Sequence, residues 1–330
     1  MQRYIVSSKG SRQWQGIPAI ERAGNGRLWS SFFSGGRLEP ASENLILLST
    51  STDDGATWSD PEVIIDPPGE TRAYDPALWH DPSGRLWLFY NLANPATKDF
   101  SVWAITTDQS TEARPQWSEP VKIEVNVPFA FRLNKPTVLS SGEWLLPVTW
   151  AVKAPEGWFP IDHQLQGVAI SADCGSTWSF HGGVETPKWA LENMIVERRD
   201  GVLWMLIRTG SGFIWESFSN DRGRSWSAGK PTTLVNPGVR FFVRRLRSGR
   251  LLLVNTPEPK QRKGLRAYLS DPRDETVFAG PGLELDPRDK VSYPDAVQSP
   301  DGRIFCVHDC DRNGVGEILL DVFSEDEIPG

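Results

Sequence analysis

The chain has 330 residues, 39% of them apolar, with 35 Lys+Arg against 42 Asp+Glu for a formal net charge of −7. That apolar share supports a large core and excludes a disordered chain. No apolar run approaches the ~20 residues of a membrane-crossing helix, and scattered Lys and Arg in an acidic chain offer no stripe for a nucleic-acid backbone.

Residues Met1 to Gly10 lack the apolar stretch of a secretory leader, so a cytoplasmic location is expected. Three cysteines, Cys174, Cys306 and Cys310, cannot build a disulfide framework. The anomaly is 15 Trp beside 29 Gly and 26 Pro. Many turns and many flat, bulky side chains point to sheets packed on sheets.

A turn glycine followed by an apolar, aromatic-rich run recurs along the chain. In order, the copies are Gly26-Arg27-Leu28-Trp29, Gly84-Arg85-Leu86-Trp87, Gly142-Glu143-Trp144-Leu145, Gly201-Val202-Leu203-Trp204, Gly249-Arg250-Leu251-Leu252 and Gly302-Arg303-Ile304-Phe305. Each follows a short apolar run, so each predicts a β-hairpin. A second motif, S-x-D-x-G-x-[TS]-W, starts at Ser51, Ser171 and Ser219 and ends at Trp58, Trp178 and Trp226. Degenerate copies lie near Asp108 and at Ser270-Asp271. Its Asp accepts backbone N–H groups in a tight turn, its Gly supplies positive φ, and its Trp fills space between neighbouring sheets. These carboxylates are therefore structural.

Sustained helical periodicity is lacking, so helices should be scarce. Repeats of about 50 residues, each with four strands, predict an all-β, six-bladed propeller of four-stranded antiparallel blades. The N-terminal run Arg3 to Ser7 is expected to close the ring beside residues 317–323. Without a linker or composition shift, residues 1–330 are expected to form a single domain.

The S-x-D-x-G-x-T-W repeats resemble the Asp boxes of the sialidase superfamily, six-bladed propellers that act on glycosides. The likeness spans essentially the whole chain and is closest to bacterial sialidase-like proteins that lack a full arginine triad. It implies a catalytic Glu in a stretch like Val196-Glu197-Arg198-Arg199-Asp200-Gly201, and a nucleophilic Tyr at Ser292-Tyr293-Pro294-Asp295. It also implies an acid/base carboxylate shortly before the first Asp box, where Glu43 is nearest. Of the three arginines that such enzymes use against a sugar carboxylate, the third corresponds to Arg262. The other two positions carry Gly16, in Gln15-Gly16-Ile17-Pro18, and Ile214. Losing charge-assisted forks weakens carboxylate binding, so the resemblance implies a terminal sugar other than ordinary sialic acid, uronic or neutral.

In a propeller the inner strands converge on the axis, and residues that open them line one mouth of the channel. Glu21, Asp75, Lys135, Glu197 and Asp295 stand at or beside those strands, with Arg72, Arg208, Arg240, Arg262 and Tyr293 close by. Glycoside chemistry needs one group to protonate the leaving oxygen and another to attack or to activate water. Tyr293, Glu197, Glu43 and Asp75 are the catalytic candidates. Arg262, Asp295, Arg72, Lys135, Arg208, Arg240 and Glu21 are the substrate-binding candidates. Trp158 and Phe159 are candidates for an aromatic sugar platform or for core packing. The strand Cys306-Val307-His308-Asp309-Cys310 lacks the ligand pairs of a zinc site, and no nucleotide or zincin motif occurs, so neither metal nor cofactor is expected. The leading expectation is an exo-acting glycoside hydrolase with a carbohydrate substrate. A sialidase, a non-catalytic carbohydrate-binding propeller and a polysaccharide lyase are the alternatives. Oligomeric state is left open.

Overall fold

The computed structural model describes residues 1–131, 134–153, 155–158 and 164–330. Six antiparallel sheets follow one another around a ring. Blade 1 comprises Gln15–Arg22, Leu28–Ser34, Leu45–Ser51 and Glu62–Ile65. Blade 2 comprises Arg72–His80, Leu86–Asn94, Asp99–Thr107 and Val121–Ile123. In blade 3 the inner strand is split into Ala130–Phe131 and Thr137–Val138, followed by Trp144–Ala151, Gln164–Ser171 and Ser179–Val184.

Blade 4 is Ala190–Glu197, Leu203–Thr209, Phe213–Ser219 and Lys230–Val235. Blade 5 is Phe242–Arg245, Leu251–Asn255, Lys263–Leu269 and Leu283–Asp289. Blade 6 is Val291–Gln298, Ile304–Cys310 and Glu317–Phe323, completed by the N-terminal strand Gln2–Ser8. That last pairing joins the two chain ends in one sheet and closes the ring, and Arg3 Nε bonds Asp321 Oδ1 across it at 2.8 Å. The one helical element among the described residues is the 3-10 turn Glu325–Glu327.

The core lies between blades rather than in one central mass, because each sheet is apolar on both faces and must cover both. Trp144 of blade 3 meets Trp79 and Trp87 of blade 2 edge-on, at 4.8 and 6.0 Å between ring centroids. Such edge-to-face pairs add to the area they bury. The Asp boxes fasten these seams. In the first, Thr57 donates its N–H and its hydroxyl to the two Asp53 oxygens at 2.9 and 2.6 Å, and Ser51 Oγ donates to Asp53 Oδ1 at 2.8 Å. These bonds hold the Asp53 carboxyl down to about 2. Gly55 has φ +89°, and a Cβ there would lie 2.2 Å from Leu320 of blade 6, so the turn sits directly on the neighbouring blade. The box at Asp173 repeats the same bonds with Thr177. Asp173→Ala should lower the unfolding temperature by ~2–4 °C in a thermal melt, with far-UV circular dichroism of the folded protein unchanged.

The buried strand Ile304–Cys310 carries Cys306 and Cys310 as free thiols, and His308 Nε2 lies 3.0 Å from Asp321 Oδ2. Burial pushes the Cys310 thiol up to about 11.

Candidate active site

The first strands from blade 3 round through blade 6 to blades 1 and 2 contact one another in turn around the axis, and each runs from one mouth of the channel to the other. At the mouth where they start, four of them break register among the described residues: between Gly16 and Ala19, Tyr74 and Ala77, Leu191 and Met194, and Ser292 and Asp295. Each break contains one non-glycine residue in the left-handed region, namely Ile17 (φ +56°), Asp75 (+48°), Glu192 (+54°) and Tyr293 (+57°). Each stands nine residues before the turn glycine of its hairpin, at Gly26, Gly84, Gly201 and Gly302. Such bulges re-aim a side chain at a cost of about 1–3 kcal/mol each. Here three of the four re-aimed side chains are Asp, Glu and Tyr.

Asp75, Glu192 and Tyr293 line one cavity of about 890 Å³, together with Glu39, Arg208, Arg262 and Arg312. Arg208 organises its centre. Its Nη1 donates to Glu192 Oε2 at 2.6 Å and to Tyr293 Oη at 3.0 Å, while its Nε donates to the Gly238 carbonyl at 2.8 Å. Glu192 and Tyr293 thus share one guanidinium nitrogen. Among the described residues, four arginines surround the Tyr293 ring, with Cζ 4.3 Å from its centroid for Arg312, 5.1 Å for Arg240, 5.6 Å for Arg262 and 5.7 Å for Arg208. Among the described residues the Arg262 guanidinium makes no hydrogen bond or ion pair, so its donors are free to meet a ligand.

Arg312 enters from the end of blade 6. Its Nε lies 3.0 Å from Asp309 Oδ2, and its Nη1 donates to Glu39 Oε2 at 2.8 Å. A Cβ on Gly16 would lie 2.2 Å from Arg312 Cδ. The aliphatic stem of Arg312 therefore occupies the space that a side chain at position 16 would need. Asp75 is 6% exposed. Burial, and then repulsion from Glu39 and Glu192, push its carboxyl up to about 7 against the pull of Arg240 and Arg72.

The sequence-based candidates divide by position. Tyr293, Asp75, Arg208 and Arg262 line the cavity, and Arg240 lies against Tyr293 with Nη2 on the Pro18 carbonyl at 3.2 Å. Glu197 does not reach it. Glu197 ends the strand that Glu192 begins, so it faces the opposite mouth, where Ser140 caps its carboxylate through N–H and Oγ at 2.6 and 2.7 Å. Glu43 is exposed on the loop of blade 1, bonded to Ser42, and the residue of that loop that lines the cavity is Glu39.

Arg72 is fully buried behind Tyr74, its Cζ 3.9 Å from that ring. Lys135, Glu21 and Asp295 plug the hub. Lys135 Nζ meets Glu21 Oε1 at 3.0 Å, Asp295 Oδ2 at 2.9 Å and the Ile20 carbonyl at 2.9 Å. Burial alone would raise the Glu21 carboxyl, but Lys135 and His80 bring it down to about 2. Lys135 is enclosed by its partners in this network, while Glu21 and His80 also line a smaller cavity of about 200 Å³ with Arg244 and Arg245. Trp158 packs near Arg72 in the seam between blades 1 and 2, and Phe159 lies outside the described residues.

Sequence reasoning missed Glu192, Glu39, Arg312 and Trp189 of the lining. The spacing from the turn glycine would have found Glu192. Nothing local marks Arg312, whose place depends on Gly16, nearly the whole chain away. Gly16 and Ile214 bring no guanidinium to the cavity and Ile214 is core, whereas Arg208 and Arg312 line it.

A model of the BNR repeat-like domain matches residues 26–306. No curated protein sequence matches the chain. Among solved structures, the chain is similar to a protein of unknown function from Dyadobacter fermentans, at 17% identity over 98% of both chains with a TM-score of 0.79. It is similar to the Hadza microbial sialidase Hz136, at 19% identity over 99% of this chain and 69% of that one, TM-score 0.82. It is also similar to the intramolecular trans-sialidase from Ruminococcus gnavus, at 16% identity over 98% and 97%, TM-score 0.75. At these identities the likeness is one of fold.

Proposed function

The chain belongs to the family of BNR repeat-like domains, and from that premise we propose that it is a glycoside hydrolase releasing a terminal sugar that bears a carboxylate. One observation carries the reading: Arg208, Arg262 and Arg312 face a single cavity around Tyr293, and Arg262 has no other partner among the described residues. Guanidinium forks match carboxylate geometry, so a uronic or a sialic acid fits better than a neutral sugar. A phenol also suits an anionic substrate, since a carboxylate nucleophile would be repelled by it.

The chemistry follows from the placement. Tyr293 Oη attacks the anomeric carbon, its proton passing to Glu192, while the bond to the leaving oxygen breaks and Asp75 donates a proton to that oxygen. Water then attacks the same carbon, giving its proton to the Asp75 carboxylate. Tyr293 leaves as phenolate and recovers its proton from Glu192. Both half-reactions balance, and the enzyme returns to its starting state. Arg208, which donates to Tyr293 Oη, stabilises the phenolate each time it forms.

The test is a panel of sialosides, glucuronides, galacturonides and their neutral counterparts, with sugar release measured by chromatography. Release confined to acidic sugars is the expected result, and release from neutral glycosides alone, or from none, overturns the proposal. On the acidic substrate, Arg312→Ala should lower kcat/KM by ~10–100-fold, the worth of one charge-assisted contact. The double variant Gly16→Arg/Arg312→Gly, which returns a guanidinium from the vacated side, should recover at least part of that loss. A double variant no better than Arg312→Ala would reduce Arg312 to a strut for Glu39.

A further inference from the structure

Trp189 immediately precedes the inner strand of blade 4 and lines the cavity three residues from Glu192. Its carbonyl accepts from Gly210 N–H at 3.1 Å, which extends the pairing with the next strand and fixes the indole at the mouth. The ring rests against two glycines. A Cβ on Gly210 would come within 2.4 Å of Nε1, and one on Gly238 within 3.1 Å of the six-membered ring. The Arg208 guanidinium carbon lies 5.3 Å from the ring, so the nitrogen-rich centre that holds Tyr293 and Glu192 also borders the indole. Although it is seated so closely, Trp189 keeps 42% of its surface exposed, whereas Trp14, Trp79 and Trp204 are at most 1% exposed. A large apolar face left open at the wall of a polar cavity marks a ligand contact.

Resting on the hydrolase reading above, we propose that Trp189 is the platform for the leaving group, and that this group is itself a saccharide. The carboxylate-bearing ring is drawn to Arg262 and Arg312, which flank Tyr293, while Arg208 touches both Tyr293 and the indole. The indole borders Arg208 and lines the cavity with Leu191, Phe131 and Gln164. An apolar plate beside apolar side chains and one amide suits a pyranose, whose C–H face stacks on an indole while its rim hydroxyls seek polar partners. The cavity also lies near the top of the size range for sites that hold one small ligand, leaving room for a second ring. The preferred substrate is therefore an oligosaccharide with an acidic terminus, and Trp189 selects on the far side of the scissile bond.

Each acidic sugar can be offered with a leaving group that reaches the platform and one that does not. The probes are sialyl-lactose against sialyl fluoride, and glucuronyl-xylobiose against glucuronyl fluoride. In Trp189→Ala, the ratio of kcat/KM for the oligosaccharide to that for the fluoride should fall about tenfold, as expected for uncovering one sugar face. The change should sit in the oligosaccharide KM, and Trp189→Phe should restore most of the ratio. An unchanged ratio, with both substrates losing equally, would mean that Trp189 only shields Arg208, and would overturn the platform. Saturation-transfer NMR with lactose and with xylobiose gives a readout that needs no turnover. Transfer seen in the wild type and lost in Trp189→Ala supports the platform even if no glycoside is cleaved, which would sink the hydrolase reading alone. No transfer from either disaccharide, with no shift in ratio, overturns the platform itself.

Discussion

Tyr293→Phe should abolish turnover of the acidic glycoside, with kcat falling by on the order of 1,000-fold or more, because the attacking oxygen is gone while the ring, its bulge and its four arginine neighbours remain. Glu192→Gln should come close to it. It removes the acceptor for the phenol proton and replaces the carboxylate that neutralises Arg208. Glu197→Gln is the control. Its carboxylate is tied to Ser140 at the opposite mouth, so only stability should respond. Stopped-flow measurement of each variant, with thermal melts alongside, distinguishes chemistry from folding. A Tyr293→Phe enzyme within tenfold of wild type would mean that two carboxylates, Asp75 and Glu39 or Glu192, perform the reaction without the phenol. Equal losses in Glu192→Gln and Glu197→Gln would move the general base back to the end of the strand where the sequence motif first pointed.

That contrast shows which parts of the molecule were legible beforehand. The hairpin glycines and the Asp boxes are local, repeated and conformationally demanding, since a positive-φ glycine followed by a Thr or Ser and a Trp serves one turn only. Six copies therefore determined the blade number, and the terminal strand pairing followed from the leftover run at residues 3–7. Tyr293 was reached only through the resemblance of Ser292-Tyr293-Pro294-Asp295 to a family stretch, because the bulge that re-aims its side chain leaves no mark in the sequence. Glu192 and Glu197 sit on the same eight-residue strand, and their chemistry is identical. What separates them is the end of the channel each one faces, a property of register rather than of composition. Arg312 was out of reach for a different reason. Its position depends on an empty side-chain site at Gly16 in another blade, and a missing side chain carries no signal until both segments are folded together. Trp189 was hidden among fifteen tryptophans, because exposure, not identity, sets it apart.

Asp75→Asn should cost glycosides with a sugar leaving group ~100–1,000-fold in kcat. It should cost a glycosyl fluoride far less, since departing fluoride needs no proton. The same carboxyl determines the pH limb. With its titration pushed up to about 7 by burial and by Glu39 and Glu192, Asp75 keeps its proton below neutrality, and activity on sugar glycosides should fall as pH rises through that value. The asparagine variant should lose this limb.

Stability gives the independent check. In the unfolded chain the carboxyl titrates near 3.9, so the folded state binds the proton more tightly. The resulting stabilisation is fully present below about pH 4 and is lost as pH rises through 7. An amide at position 75 cannot ionise, and asparagine tolerates the left-handed backbone there. The melting temperature of Asp75→Asn relative to wild type should therefore climb between pH 4 and pH 8, while its activity stays low throughout. A constant difference across that range, or an alkaline limb that survives the substitution, would transfer the proton-donor role to Glu39, which reaches this cavity from blade 1.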